Sequence, residues 1–375
     1  MTQQLKTALV GIGKVTDMHA RALVRLKESA FTAVCSRSRE KAEDYASRYK
    51  VEAYTDVAEM VTGEQIDVVI ICTPHPNHRG PALAALEAGA HVLVEKPLAS
   101  SLEDCDAMIE ASKRFGKQLG VVCQRRWYPP ALRVREAIDE GKIGLPVFGT
   151  VNMLGWRDRA YYESDPWRGT WKGEGGGVLV NQAPHQLDML QWFMGDIEEC
   201  YGLWSNLNHP YIEVEDTANA ILRFKSGAMA SIIVSNSQRP GIFGKVHVHG
   251  ENGASVGVQT DGGAMFVAGM TSILEPPVND LWTVPGEEKM LQKWIKEDND
   301  FFNSLPNQTD YFHERNVEDF LQAVLEGREP LVTGEAGRVS VEIFTAIYRS
   351  TRDGRPVRWP LKPEYGTDFD GRIQA

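Results

Sequence analysis

Residues 7–16, TALVGIGKVT, decide the fold of the N-terminal part of the chain. An apolar strand runs directly into Gly11 and Gly13, two of the three glycines that open the first helix of a dinucleotide-binding βαβ unit. Gly11 permits the tight turn, and Gly13 allows a pyrophosphate to approach the backbone at the positive end of the helix. Thr16 replaces the third glycine. Either helix and strand therefore lie farther apart, or the hydroxyl finds a partner of its own.

The first 125 residues alternate short apolar strands with longer amphipathic segments, which is the pattern of a parallel sheet wrapped by helices. The strand-like segments are TALVGIG (7–13), FTAVCS (31–36), DVVIICT (67–73), HVLVEK (91–96) and QLGVVCQ (118–124). Apolar residues recur at helical spacing between them, at 17–28, 38–49, 78–88 and 101–115. Right-handed crossovers then predict a doubly wound Rossmann sheet. In this context the glycine pair predicts a dinucleotide site rather than a simple strand-to-helix turn.

The pattern changes after a helix-like stretch at 131–140 to strands of alternating polarity joined by glycine-containing turns. Two hairpins are predicted, 217–224 with 228–234 and 245–248 with 254–258, the second through Asn252-Gly253. Helical segments follow at 313–326 and 335–349. We therefore expect an α/β protein with a Rossmann domain at 1–125, an α+β substrate-binding and oligomerisation domain at 126–361 with a large, open, mainly antiparallel sheet, and a tail at 362–375.

Composition and charge exclude several classes of function. A chain of 375 residues is longer than one hydrophobic core usually organises, which predicts two domains. Its net charge of -11 disfavours nucleic acid and anionic membranes as partners. The N-terminus has neither the basic start nor the apolar core of a signal peptide, so we expect a cytoplasmic protein. The five cysteines are far apart and lack metal-site spacing, and no metal is expected.

The end of the second strand bears on the choice of cofactor. An acid is expected there if the adenosine ribose keeps its 2′-hydroxyl, yet the chain has Ser36-Arg37. A hydroxyl with a guanidinium matches a 2′-phosphate, which favours NADP(H), while NAD(H) stays possible because Arg37 can also be a solvated loop residue. The predicted cofactor-binding residues are Gly11, Gly13, Lys14, Val15, Ser36, Arg37, Cys72, Thr73, Pro74, Asn77, His78, Glu95, Lys96 and Gln124.

Lys96 follows the strand 91–95 at the carboxyl edge of the sheet, where doubly wound folds bind ligands. A neighbouring proline and an apolar strand restrict it, so a lysine held towards the ligand competes with an ordinary surface lysine. A second candidate lies in 175–188, GGGVLVNQAPHQLD, where Asn181 is expected to cap a helix with Pro184 in its first turn. His185 would then lie near the positive helix end, which keeps its ring neutral, and 181, 185 and 188 would share one face.

Other histidines have simpler interpretations. His19 and His78 open helices of the Rossmann half and are expected to pack or to line the cofactor site. His247 and His249 share one strand face, but no third metal ligand is evident nearby. His313 precedes a predicted helix, and capping is expected there rather than chemistry.

The chain from about residue 6 to about residue 361 resembles the Gfo/Idh/MocA oxidoreductase family. The motifs that carry this resemblance are GIGKVTDMHA, TPHPNH, AGAHVLVEKPLA, RRWYPPALRVREAIDEGKIG, WRG, GGGVLVNQAPHQLD and GRPVRWPL. It implies Lys96 as the lysine beside nicotinamide and substrate, His185 as the catalytic histidine, Arg168 as a substrate or cofactor contact, and Asp188 as a supporting acid. Asn181 departs from the family pattern, because many members have aspartate at this position.

The function expected is hydride transfer between a nicotinamide and a secondary alcohol or ketone of a sugar, inositol or related polyol. Trp167, Arg168, Asn181 and Asp188 are the predicted substrate-binding residues. Two alternatives are a redox-assisted lyase or glycosidase with tightly bound cofactor, and a non-catalytic NADP(H) sensor; the presence of both Lys96 and His185 speaks against the sensor. An open sheet needs cover, so a homodimer or homotetramer through the C-terminal sheet is expected.

Overall fold

A computed structural model of the chain describes residues 4–238, 244–260, 276–365 and 372. The chain forms two compact units, Met1–Gln124 with Asn307–Arg338, and Arg125–Pro306 with Val339–Ala375. The first boundary falls at Gln124, next to the division expected after residue 125. Residues 307–338 differ, because they pack with the N-terminal unit although they were assigned to the C-terminal domain. Of the expected tail 362–375, residues 366–371 and 373–375 lie outside the described part.

The first unit contains a six-stranded parallel sheet with the strand order β3-β2-β1-β4-β5-β6. Its strands are β1 (Leu5–Val10), β2 (Ser29–Cys35), β3 (Glu52–Tyr54), β4 (Val68–Ile71), β5 (His91–Glu95) and β6 (Leu119–Val122). This order confirms the doubly wound Rossmann sheet. The sequence pattern missed β3, because three residues without an apolar run give no periodic signal.

The helices of the first unit lie between these strands. They are α1 (Thr16–Arg25), α2 (Arg39–Tyr49), α3 (Val57–Glu64), α4 (Arg79–Glu87), α5 (Leu102–Phe115) and α11 (Gln308–Glu326). Side-chain oxygens of Ser38, Asp56 and Ser101 accept backbone N–H groups at the start of α2, α3 and α5. The segment 57–64 was not predicted as a helix.

Helix α11 belongs to the Rossmann core because its apolar face packs with the sheet. Val317, Phe320 and Leu321 join the buried cluster that contains strand residues of β1, β4 and β5. A Cβ at Gly120 in β6 would lie 2.6 Å from the ring of Phe320, so the close packing of helix and strand requires glycine there. The hydrophobic effect therefore places 307–338 with a sheet that ended about two hundred residues earlier in the sequence.

The second unit contains an eight-stranded sheet with the order β13-β12-β11-β7-β10-β9-β8-β14. Its strands are β7 (Pro146–Leu154), β8 (Ile197–Ser205), β9 (Thr217–Phe224), β10 (Met229–Ser235), β11 (Gly244–Gly250), β12 (Ser255–Thr260), β13 (Val278–Trp282) and β14 (Val357–Arg358). All neighbours are antiparallel except β7 and β10, which confirms the mainly antiparallel sheet. Both predicted hairpins are present, with Gly227 and Gly253 at positive φ in their turns.

The helices of the second unit are α6 (Pro129–Asp139), α7 (Arg159–Glu163), α8 (Trp171–Glu174), α9 (Pro184–Met194), α10 (Met290–Ser304) and α12 (Gly334–Asp353), whose first turn belongs to the Rossmann unit.

The two faces of the large sheet differ. Helix α9 covers β7 so closely that a Cβ at Gly149 would lie 2.9 Å from Leu190. Side chains such as Tyr201, Ile221 and Ile233 remain 43%, 58% and 42% exposed on the opposite face. Among the described residues, no helix is long and apolar enough to cross a membrane.

Candidate functional site

The glycine turn after β1 has the geometry that a dinucleotide phosphate requires. Gly11 has a φ of +94°, and a Cβ there would lie 2.8 Å from the backbone nitrogen of Thr73, so only glycine fits. A Cβ at Gly13 would meet no heavy atom within 4 Å, and this glycine is exposed. The Thr16 hydroxyl accepts from the Gly13 N–H at 2.8 Å and donates to the Gly11 carbonyl at 3.0 Å. Of the two alternatives for Thr16, the structure has the one in which the hydroxyl finds its own partners.

The start of α1 beside this turn is open to an anion. Val15 precedes the helix and makes no side-chain cap hydrogen bond, and Lys14 next to it is exposed. An uncapped helix start carries partial positive charge and N–H groups that a phosphate accepts from. The residues of this turn therefore fit the pyrophosphate of a dinucleotide.

The loops after β4 and β5 are joined by the ring of His78. Its Nε2 lies 2.8 Å from the Thr73 carbonyl, and its Nδ1 lies 3.1 Å from the carbonyls of both Pro97 and Leu98. Burial lowers the pKa of His78 although these carbonyls oppose the shift. His78 thus holds the two loops that carry predicted cofactor residues, in agreement with the packing role expected of it. Of these residues, Cys72 is buried at the end of β4, Pro74 and Asn77 form a 3₁₀ turn, and Gln124 is half-buried after β6.

Glu95, at the end of β5, forms a buried polar cluster beside Lys96. Its Oε1 lies 2.7 Å from Nε2 of His19, and its Oε2 accepts the Lys96 backbone N–H at 3.2 Å. Burial raises the pKa of Glu95, but the hydrogen bond and charge of His19, with the charges of His313 and Lys96, outweigh burial and lower the pKa to about 2. Glu95 is therefore an anion at neutral pH. Its carboxylate accepts the backbone N–H of the predicted catalytic lysine, which is itself half-buried.

His313 completes this cluster and does not cap a helix. Its ring packs edge-on against that of His19 with centroids 5.5 Å apart, and its Nδ1 lies 2.7 Å from the Thr309 carbonyl. The helix begins at Gln308, because the side chain of Asn307 accepts from the Asp310 N–H. The prediction that His313 caps a helix is wrong, since the capping asparagine lies six residues earlier.

The residues tested for cofactor preference lie after β2. Ser36 is half-buried and donates its backbone N–H to the Tyr54 carbonyl at 3.1 Å, whereas Arg37 is exposed. Ser38 caps α2. The end of β2 itself thus offers hydroxyls and a guanidinium and no carboxylate.

In the second unit, Asn181 lies in a π-helical turn, Val178–Gln182, and not at a helix cap. Its Nδ2 donates to Tyr161 Oη at 3.1 Å and to Glu174 Oε1. Helix α9 begins only at Pro184, with Ala183 before it, so the capping prediction for Asn181 is wrong while Pro184 does occupy the first turn. The Asn181 amide hydrogen-bonds to Tyr161 and Glu174, which precede it in the chain, instead of capping α9.

Tyr161 is the centre of a polar cluster in this unit. Its hydroxyl oxygen accepts from Arg168 Nη1 at 2.6 Å and from Gln182 Nε2 at 2.8 Å, in addition to Asn181. The Arg168 guanidinium lies 4.4 Å from the ring centroids of both Tyr161 and Trp167. Two aromatic faces and a hydroxyl therefore fix this guanidinium, which makes it a preorganised donor for an anion or a hydroxyl. The side chains of Tyr161, Tyr162 and Trp171 are buried.

His185 and Asp188 lie on α9 in different surroundings. His185 is the second residue of the helix and is 7% exposed. Both carboxylate oxygens of Asp188 accept from Arg126, at 2.9 and 2.7 Å, in a fully buried ion pair. The structure thus gives Asp188 a guanidinium partner from the start of the second unit, and Arg126 was not singled out in the sequence.

One further residue was missed. Glu174, which ends α8, is 1% exposed, and its Oε2 accepts the Gly169 N–H at 2.6 Å. The signal that could have pointed to Glu174 is its place directly before Gly175-Gly176-Gly177. An acid that stays in solvent does not need three conformationally free residues after it. His247 and His249 pair with Asp280 and Ser255, and no group of three metal-ligating side chains is found in the described ranges.

Two family profiles cover most of the chain. The profile described as "Oxidoreductase family, NAD-binding Rossmann fold" matches residues 5–122, and the profile described as "GFO/IDH/MocA C-terminal domain" matches residues 131–256. Their boundary lies close to that between the Rossmann sheet and the large sheet.

Individual proteins are similar over nearly the full length. The myo-inositol 2-dehydrogenase of Thermotoga maritima is 27% identical, with 94% of this chain and 98% of that protein covered. The 1,5-anhydro-D-fructose reductase of Ensifer adhaerens is 30% identical, with 92% and 96% covered. Among solved structures, the WlbA dehydrogenase of Bordetella pertussis in complex with NADH and UDP-GlcNAcA has a TM-score of 0.80 at 28% identity, with 96% and 100% covered.

Proposed function

The chain belongs to the Gfo/Idh/MocA family of oxidoreductases, and from this premise we propose that it transfers a hydride between a nicotinamide and a secondary alcohol or ketone of a sugar, inositol or related polyol. The observation that carries the proposal is the turn after β1, which admits only glycine at Gly11 and leaves open space at Gly13. The relatives named as inositol and anhydro-sugar enzymes support the class of substrate.

The Rossmann unit contributes cofactor binding and a cation. When bound, the nicotinamide supplies the hydride acceptor or donor at its C4. Lys96 is proposed to orient the substrate oxygen and to stabilise the negative charge that develops on it, which is the larger part of many enzymatic rate enhancements. The support for this role is the place of Lys96 directly after β5, where the Glu95 carboxylate accepts the backbone N–H of Lys96 and so holds the main chain at this position.

The second unit contributes the proton acceptor. His185 is proposed to accept the hydroxyl proton during oxidation and to return it during reduction. Its place as the second residue of α9 supports this role, since the positive helix end favours the neutral ring. Trp167, Arg168 and Asn181 are proposed to bind substrate hydroxyls, and Asp188 to hold α9 in place through Arg126.

NADP(H) is proposed as the preferred cofactor, with NAD(H) as the alternative. The support is the exposed Arg37 after β2, where the strand ends without a carboxylate. The relative solved with NADH and the NAD-binding description of the family profile keep NAD(H) open.

A cytoplasmic homodimer or homotetramer is part of the same proposal. Its support is the uncovered sheet face, where Tyr201 pairs with Ile221 and Leu203 lies in the same strand as Tyr201. These side chains are 43–58% exposed, and a contiguous apolar patch of this kind marks an interface. Light scattering should detect the assembly, and Ile221→Arg should shift it towards the monomer. A wild-type monomer would contradict this part.

The decisive experiment is a substrate panel. Inositols, aldoses, anhydro-sugars and ketoses are each incubated with NAD and with NADP, and reduced nicotinamide is followed by its absorbance. Net cofactor reduction with at least one polyol supports the proposal. A product that forms while bound cofactor shows no net change would instead indicate the redox-assisted lyase or glycosidase, and cofactor binding without any turnover would indicate a sensor.

A further inference from the structure

Glu174 is a buried carboxylic acid that contacts two parts of the proposed substrate site. Its Oε2 accepts the Gly169 N–H, directly after Arg168, and its Oε1 accepts from Nδ2 of Asn181. The residue is 1% exposed at the end of α8. Burying a carboxyl costs free energy unless hydrogen bonds compensate for the lost water, and these two contacts provide such hydrogen bonds.

We propose that Glu174 is a positioning residue that fixes the Asn181 amide, so that position 181 meets the substrate as a hydrogen-bond acceptor. The proposal rests on the proposed function, in which Asn181 contacts a substrate hydroxyl. Many family members carry a carboxylate at position 181, whereas this chain has an amide there and a carboxylate at Glu174, which is hydrogen-bonded to that amide.

The hydrogen-bond inventory of the amide supports this assignment. An amide nitrogen has two protons, and those of Asn181 go to Glu174 and to the Tyr161 hydroxyl oxygen. Any further hydrogen bond of this side chain is therefore one that Oδ1 accepts. A substrate hydroxyl would therefore donate its proton to Asn181 Oδ1, just as it would donate to a carboxylate oxygen of an aspartate at this position.

The Tyr161 contact is compatible with this orientation but does not select it. Its oxygen already accepts from Arg168 and Gln182, so its own O–H proton remains to donate. A flipped Asn181 could accept that proton, but it would place Oδ1 against the Glu174 carboxylate. Ionised Glu174 therefore fixes the orientation of the amide.

The ionisation of Glu174 is balanced near neutral pH. Burial raises its pKa to about 7, while the hydrogen bonds from Gly169 and Asn181 and the charge of Arg168 oppose the rise, and Glu215 adds to it. The hydroxyls of Tyr348, Tyr161 and Tyr162 also interact electrostatically with Glu174. Protonated Glu174 can donate to Oδ1, so acid releases the fixed orientation of the amide.

The test is an exchange of the two groups. Four proteins are compared: wild type, Glu174→Gln, Asn181→Asp, and the double variant. Each single change should lower kcat/KM by about ten- to a hundredfold, because a misplaced contact in the site costs that much. The double variant restores a carboxylate–amide pair with the same total charge and should recover most of the loss. Glu213→Gln is the control, since Glu213 accepts the Trp171 N–H at the other end of α8 and should leave kcat/KM unchanged.

The pH dependence separates positioning from general stability. Asn181→Asp places two carboxylates in contact, so its melting temperature should fall most at alkaline pH and recover on acidification. Glu174→Gln should remove an acidic limb from the kcat profile, whereas a structural role alone would leave the limb in place. An unchanged kcat/KM in Glu174→Gln, or a double variant no better than the poorer single one, would overturn the proposal.

Failure of the proposed function leaves a different signature. In that case wild type turns over no member of the panel, while the unfolding measurements still decide whether the groups are paired. Recovery of the melting temperature in the double variant supports the pairing of Glu174 with Asn181, and simple addition of the two losses overturns it.

Discussion

The contact between His19 and Glu95 yields the sharpest prediction about stability. His19→Gln keeps an N–H donor at this position but removes the imidazole ring whose Nε2 lies 2.7 Å from the buried carboxylate. Because His19 is the main reason that the pKa of Glu95 lies below its ordinary value, the substitution leaves burial as the dominant effect, and the pKa of Glu95 should rise above 4.5.

The magnitude follows from linkage between protonation and folding. Lowering the pKa of Glu95 from 4.5 to about 2 corresponds to about 3 kcal/mol of stability at neutral pH, at about 1.4 kcal/mol per pKa unit. Removing one partner of a buried pair costs about 3 to 5 kcal/mol, which agrees. We expect His19→Gln to lose about 3 to 5 kcal/mol at pH values near 7.5.

The sign of the pH dependence distinguishes this cause from lost packing. In wild type the stability due to Glu95 is present above its unfolded pKa of 4.5 and is lost as the pH falls towards 2. In the variant a raised pKa reverses the sign, so stability is lost as the pH rises from 4.5. The difference between the two proteins should therefore shrink as the pH is lowered from neutrality to about 5.

Urea unfolding followed by two probes measures this. All nine tryptophans lie in the second unit, so their fluorescence reports that unit, whereas far-ultraviolet circular dichroism also reports the Rossmann unit. The loss should move the dichroism transition and leave the fluorescence transition in place. The control compares the double variant His19→Gln, Glu95→Gln with Glu95→Gln alone. Without the carboxylate, the stability difference caused by the His19 substitution should no longer depend on pH. Parallel stability curves for wild type and His19→Gln would refute the reasoning.

Four further outcomes are expected. Gly11→Ala should abolish NADH binding in a fluorescence titration because φ is +94° there, whereas Gly13→Ala, in open space, should keep the wild-type melting temperature. Lys96→Ala should reduce turnover by roughly a hundred- to a thousandfold with little change in cofactor affinity, and activity near wild type would exclude its role. Arg37→Ala should weaken NADP far more than NAD, and equal losses would make this arginine structural. His185→Ala should slow oxidation by about a hundredfold or more and remove the acidic limb due to this ring, and an unchanged pH profile would assign the proton to another group.

The sequence alone predicted the elements whose signals are local. The strand, the glycine turn and the helix of residues 7–25 follow from contiguous residues, and so do the alternating strands of both hairpins. Gly11 was named from the local strand-to-helix pattern, and its φ is +94°, but its close approach to the backbone of Thr73 is a tertiary contact. Right-handed crossovers then predict a doubly wound sheet, whereas the short strand β3 and the place where the strand order reverses were given by the structure.

The interpretation of 307–338 and of Asn181 depended on contacts between distant segments. Cys123 donates its backbone N–H to Asn316 Oδ1 at 2.8 Å, across almost two hundred residues, and helical periodicity does not reveal which sheet a helix covers. Asn181 has the residue type of a helix cap, but Glu174 and Tyr161 compete for its amide.

The residue types named for the site were thus visible in the sequence, whereas the contacts around them depend on the tertiary structure. Lys96, His185 and Arg168 could be named because their motifs are local. The partner of Asp188, in contrast, is Arg126, which lies 62 positions away and meets it only when the apolar faces of helices and sheets pack. Periodicity along the chain specifies which face is buried, whereas the pairing of polar groups depends on distances in space that no local pattern contains.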